Sequence, residues 1–92
     1  MNVPSYAARI EAKFGDRLHV LNELINDRIL HGDFKENARG YEVIRVDLEE
    51  WVEEELQKYM KAEYSKMNWD LEFKRDLDVI VGQYWIDIHK VV

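Results

Sequence analysis

The sequence predicts a mainly α-helical α+β domain: two short helices, a small β-hairpin acting as a wing, and two longer C-terminal helices. Apolar side chains recur every three or four residues from Tyr6 to Ile29 and again from Leu48 to Met67, the period of a helix with one buried face. Between these stretches the run Tyr41-Glu42-Val43-Ile44-Arg45-Val46 is rich in β-branched and aromatic residues.

Ser5 is placed to cap a first helix whose apolar positions are Tyr6, Ala7, Ile10 and Phe14, with a stop near Gly15. Asp16 caps a second helix to about Leu30, on which Leu18, Leu21, Leu24, Ile25 and Ile29 form the buried stripe and Gly32 the stop. Residues 31 to 46 then read as two short strands around a turn near Gly40. Asp47, followed three residues later by Glu50, resembles a capping box and opens a third helix to about Lys66, with Leu48, Trp51, Val52, Leu56, Tyr59, Met60, Tyr64 and Met67 on its apolar face. In the last segment Phe73, Leu77, Ile80, Val81, Tyr84, Trp85, Ile88 and Val91 trace a helical stripe, although Trp69/Leu71/Phe73 and Tyr84/Ile86/Ile88 also alternate as strands do; helix is the expectation.

A chain of 92 residues has room for one core, and 47% hydrophobic residues are enough to build it, so a single domain over 1–92 is expected: a helix-helix-hairpin part to 46 and an acidic helical part from 47. The N-terminus lacks the basic-then-apolar order of a signal peptide and no apolar run is long enough for a bilayer, so a cytoplasmic protein with no membrane partner is expected. The net charge of −6 is unevenly spread. Residues 1–46 hold seven basic and seven acidic side chains, whereas residues 47–92 hold six and twelve. That sign opposes bulk affinity for phosphate backbones in the second half.

Little in the sequence carries chemistry. With no cysteine, no threonine and only Ser5 and Ser65, an activated nucleophile is hard to assemble, and the four glycines stand apart rather than forming a phosphate loop. His19, His31 and His89 lie far apart; His31 with Asp33, and Asp87 with His89, are weak chelating pairs best read as exposed polar residues. No enzyme activity, metal or cofactor is expected. Trp51, Trp69 and Trp85 lie on the apolar stripes and are expected in the core.

The acidic cluster Glu49, Glu50, Glu53, Glu54 and Glu55 is the most unusual local feature. On the third helix it would form a ridge of carboxylates, tolerated near an N-terminus by the helix dipole and able to meet a basic groove.

From Val3 to Leu56 the chain also resembles the winged helix-turn-helix of excisionases and MerR-type regulators. Pro4-Ser5-Tyr6-Ala7-Ala8-Arg9-Ile10 stands for the first helix, Arg17 to Ile29 for the recognition helix, Phe34 to Val46 for the wing and Asp47-Leu48-Glu49-Glu50-Trp51-Val52 for the segment after it. The resemblance implies duplex reading by Arg17, His19, Asn22, Asn26 and Arg28, with Arg39 on the wing, in a dimer joined through C-terminal helices. Glu23 and Asp27 on the same helix oppose phosphate approach.

The leading functional expectation is therefore a non-enzymatic acidic interaction protein. It would be an inhibitor or adaptor of the phage or mobile-element kind, acting in a host cytoplasm, binding a basic surface on a nucleic-acid-handling protein, with DNA mimicry as one form. The alternative is a winged-helix DNA-binding regulator or excisionase-like factor. A homodimer is compatible with either.

Overall fold

The computed structural model describes residues 2–78, 80 and 82–91. Helix α1 spans Tyr6–His31 and leads through strand β1 (Lys35–Glu36) to β2 (Glu42–Leu48). Helix α2 (Glu54–Ser65) follows, and the chain closes with β3 (Trp69–Asp76) and β4 (Gln83–Lys90). The strands form one antiparallel sheet in the order β1-β2-β4-β3, with both helices laid on the same face. The result is a two-layer α+β sandwich, with two helices where four were expected.

The first correction concerns α1, one helix of 26 residues with no turn at Gly15-Asp16. Ile10, Phe14, Leu18, Leu21 and Ile25 are all buried and stay in phase across that position. A glycine inside a helix costs about 1 kcal/mol, and burying any one of these side chains recovers more. Ser5 does cap the helix, its Oγ accepting from the Ala8 N–H at 3.1 Å. The absent turn also leaves the winged-helix comparison without separate first and recognition helices.

The second correction is at Asp47, which lies in β2 opposite Trp85 of β4. Pairing with β4 extends the strand to Leu48, so the helix begins only at Glu54, with Glu53 at its N-cap position making no side-chain capping bond. The hairpin predicted ahead of it does form: Lys35 pairs with Val43 and Glu36 with Glu42. Its turn is closed by the Gly40 N–H to the Asn37 carbonyl at 3.0 Å, with Gly40 at φ +84.

The third correction is the C-terminal segment, which is a hairpin of two eight-residue strands rather than a helix. Leu71 and Phe73 on β3 face the same way as Ile86 and Ile88 on β4, and Ile44 and Val46 on β2 complete the row. The helical stripe fails at Leu77 and Ile80, both exposed beyond the end of β3; Val81, also on it, lies outside the described residues. A period of two buries Leu71, Ile86 and Ile88 on a common face, which a helix would scatter.

The core thus joins α1, α2, Val52 and the three longer strands. Phe34 stacked on Trp69 borders one end, and Trp51 against Tyr84 the other; all three tryptophans are half-buried rather than enclosed. Tyr64 links the helices, its hydroxyl lying 2.9 Å from Asn26 Oδ1 and 3.0 Å from Asn22 Oδ1, and burial pushes its pKa up to about 12.

Two glycine substitutions test this account in opposite directions. A Cβ on Gly15 meets only the far end of the flexible Glu11 side chain, so Gly15→Ala should stabilise a continuous helix by about 0.5–1 kcal/mol. A Cβ on Gly32 falls 2.6 Å from the Arg28 carbonyl oxygen and collides with Ile44 Cδ1, so Gly32→Ala should cost about 1–3 kcal/mol. Thermal unfolding measures both, and a destabilised Gly15→Ala would restore the turn.

Candidate functional site

The five glutamates of the acidic cluster do not share a helix face. Glu49, Glu50 and Glu53 belong to the segment between β2 and α2, and only Glu54 and Glu55 are helical. Four of the five are engaged by the protein's own cations. Arg9 Nε and Lys13 Nζ grip Glu55 at 2.9 and 3.0 Å. Arg17 binds Glu53 and the Trp51 carbonyl, with Glu50 at 3.4 Å from its Nε. Glu54 pairs with Lys58 one turn along at 3.4 Å. The cluster therefore fastens the β2–α2 segment to α1, and the free carboxylate ridge expected from the sequence is a correction. Glu49 alone of the five has no ion-pair partner among the described residues.

The residues expected to read DNA lie on α1, apart from Arg39 in the hairpin turn, but they do not form a reading surface. Arg17 is committed to the acidic segment, Arg28 Nε donates to the Arg45 carbonyl at 3.3 Å, and His19 Nε2 lies 2.8 Å from Glu11 Oε1. Asn22 and Asn26 hold Tyr64. Arg39 shares a shallow groove with Lys74 and Lys90, but with Asp70 and Glu72 as well. The C-terminal helices of the expected dimer contact are strands.

What α1 does expose is a strip of another kind. Asp16, Val20, Glu23, Leu24 and Asp27 fall at spacings of three, four and seven, so they lie along one flank of the helix beside its buried stripe. Val20 is 56% and Leu24 42% exposed. Across from them Leu48 and the Glu49-Glu50 segment complete a groove. None of Asp16, Glu23, Asp27 and Glu49 has an ion-pair partner among the described residues, and Glu50, though near Arg17, remains 74% exposed. Leu24, expected on the buried stripe, is thus a correction, and Val20 joins it outside the core. The available signal was their four-residue spacing, a second apolar ridge next to the first.

The sheet face away from the helices carries Arg45 and Asp47 from β2, Trp85, Asp87 and His89 from β4, and Glu72 and Lys74 from β3. The Arg45 guanidinium lies 4.2 Å over the Trp85 ring and its Nε is 2.8 Å from Asp47. Lys74 Nζ is 3.2 Å from Asp87 and 3.3 Å from Glu72, and these two carboxylates, Asp87 the more strongly, raise its pKa. Among the described residues Glu72, Asp87 and His89 are the group whose donor atoms could converge on one ion. Glu72 was not foreseen, because it meets Asp87 only through strand pairing.

Hydrogen bonds from Arg9 and then Lys13 hold the Glu55 carboxyl at about 2, against an ordinary 4.5. A depressed folded pKa stabilises the native state above the unfolded value, and this contribution is lost as pH falls from about 4.5 through about 2. Acid titration of the thermal midpoint should therefore show a loss in that window, and Glu55→Gln should diminish it. Comparison with protein-family models, curated proteins and solved structures finds no match to this chain.

Proposed function

We propose that the chain is a non-enzymatic interaction module that binds a basic, partly apolar surface of another protein through α1 and the start of the β2–α2 segment. One observation carries this reading: Val20 and Leu24 are exposed in a groove that Glu49 also lines, and Asp16, Glu23 and Asp27 on the same flank of α1 have, like Glu49, no ion-pair partner among the described residues. Single exposed aliphatic residues are ordinary on a protein surface, but an apolar strip with an uncompensated acidic border combines a buried anchor with a steering field.

The occupant this surface suits is an amphipathic segment, helical or extended, with aliphatic side chains flanked by lysine and arginine. The apolar strip supplies the desolvated centre of the contact and the carboxylates its rim. Proteins that handle nucleic acids display such basic surfaces, and an acidic module seated on one would act as an inhibitor or adaptor in the cytoplasm. Among the described residues no helix is long and apolar enough to cross a membrane. Ser5, one of only two serines, is engaged as a helix cap, in keeping with a role outside catalysis.

A set of basic amphipathic peptides, titrated into the isotopically labelled protein, tests the proposal. Amide shifts should cluster at Val20, Leu24, Leu48 and Glu49, and Leu24→Glu or Glu49→Lys should each weaken binding roughly tenfold, about 1.4 kcal/mol. Shifts confined to the far face of the sheet, or binding indifferent to both substitutions, would exclude this surface. A random DNA duplex pool at low salt should leave the α1 amides unmoved; duplex binding weakened by Arg28→Ala would favour the DNA-reading alternative.

A further inference from the structure

The exposed face of the β3–β4 hairpin holds a ligand set that chain order disguises. Asp87 and His89 are two residues apart on β4 and so project to the same side, away from the helices. Glu72 pairs directly with Asp87 across the ladder, which brings it to that side from a point fifteen residues earlier. One donor atom from each of the three can be chosen so that all lie within 4.8 Å of one another. Donors held about 2 Å from a common ion stand roughly 3–4 Å apart, a distance that small side-chain rotations reach from here.

The state of His89 adds an independent indication. Its Nε2 is shut off from solvent and has no hydrogen-bond partner, and the nearest acidic oxygen, Glu72 Oε1, is 3.5 Å away without hydrogen-bonding geometry. An enclosed polar nitrogen without a partner costs free energy unless something answers it. A hydrogen-bonding side chain does not; a cation between His89 and the two carboxylates would. Lys74 already places an ammonium beside both carboxylates, but its side chain is 45% exposed and long enough to turn outward.

We infer that Glu72, Asp87 and His89 form a binding site for a first-row divalent transition ion of the zinc class, with Lys74 as the resident cation that the ion displaces. One imidazole nitrogen and two carboxylate oxygens suit such an ion, whereas magnesium and calcium prefer oxygen donors throughout. Bound there, the ion pins edge strand β3 to β4 and leaves its remaining positions to water on the groove side. The site lies on the opposite layer from the proposed partner surface and does not depend on it.

Calorimetric titration of the full chain with Zn²⁺ tests the inference, alongside thermal unfolding with and without the ion. One equivalent should bind, and a hundredfold excess over Kd should raise the Tm by roughly 10 °C. His89→Ala should abolish both effects, while His19→Ala and His31→Ala leave them unchanged. Lys74→Met is the decisive variant, since it removes the competing ammonium and should tighten Zn²⁺ binding roughly tenfold or more. Because it deletes no ligand, it keeps the test open even if His89→Ala fails to fold. Absence of stoichiometric binding, binding that survives His89→Ala in a folded protein, or weaker binding in Lys74→Met would overturn the inference.

Discussion

Strand β4 is the member on which the other elements rely, because it is hydrogen-bonded on both sides, to β2 and to β3. Its Ile86 and Ile88 are fully buried, and they align Ile44 and Val46 on one neighbour with Leu71 and Phe73 on the other. That shared apolar row gives α1 and α2 a surface to cover. Without it, α1 would be a long helix with one greasy flank, and α2, at 12 residues, would be too short to persist alone. The constraint is also non-local, since β2 and β4 meet across the whole of α2 and β3. Formation of the sheet therefore waits on closing a long loop.

The same closure redistributes charge. In sequence the negative excess belongs to the second half; in the folded chain Arg9, Lys13 and Arg17 on α1 cross over to Glu50, Glu53 and Glu55. Three acids of the second half are thus spent on fastening the start of α2 and the segment before it to α1. On the helix that looked balanced, Asp16, Glu23 and Asp27, which accompany Val20 and Leu24, are left among the acids without an ion-pair partner in the described residues. A count of charges by segment is thus a poor guide to where a protein presents its field, because pairing across the fold subtracts from one element and uncovers another.

The two layers divide the chemistry between them. The helical layer offers an apolar groove with an acidic border, the arrangement that suits a macromolecular contact. The sheet layer, whose outward positions alternate with core positions, concentrates ionisable groups in cross-strand rows, with Glu72, Lys74, Asp87 and His89 within reach of one another. Burial on one side of a strand obliges polarity on the other, so a sheet covered on a single face collects such groups without any motif in the chain.

Much was determined by sequence alone. The Ser5 cap, the apolar stripe of α1, the hairpin around Gly40 and the helical identity of 54–65 follow from local signals, and these lie within a few residues of where the pattern put them. The turn at Gly15, the helix start at Asp47 and the helical C-terminus did not survive, for one physical reason. In each case a local preference worth a kilocalorie or less competed with burial of several side chains on a surface assembled from distant segments. The alternation of Trp69/Leu71/Phe73 and Tyr84/Ile86/Ile88 was visible, but only strand partners make a period of two preferable to a helical stripe through many of the same residues. Cross-strand register and helix docking likewise decided which acids stand free, which arginines are occupied and that Glu72 meets His89, because these are distances between residues far apart in the chain, set by packing rather than by neighbours in sequence.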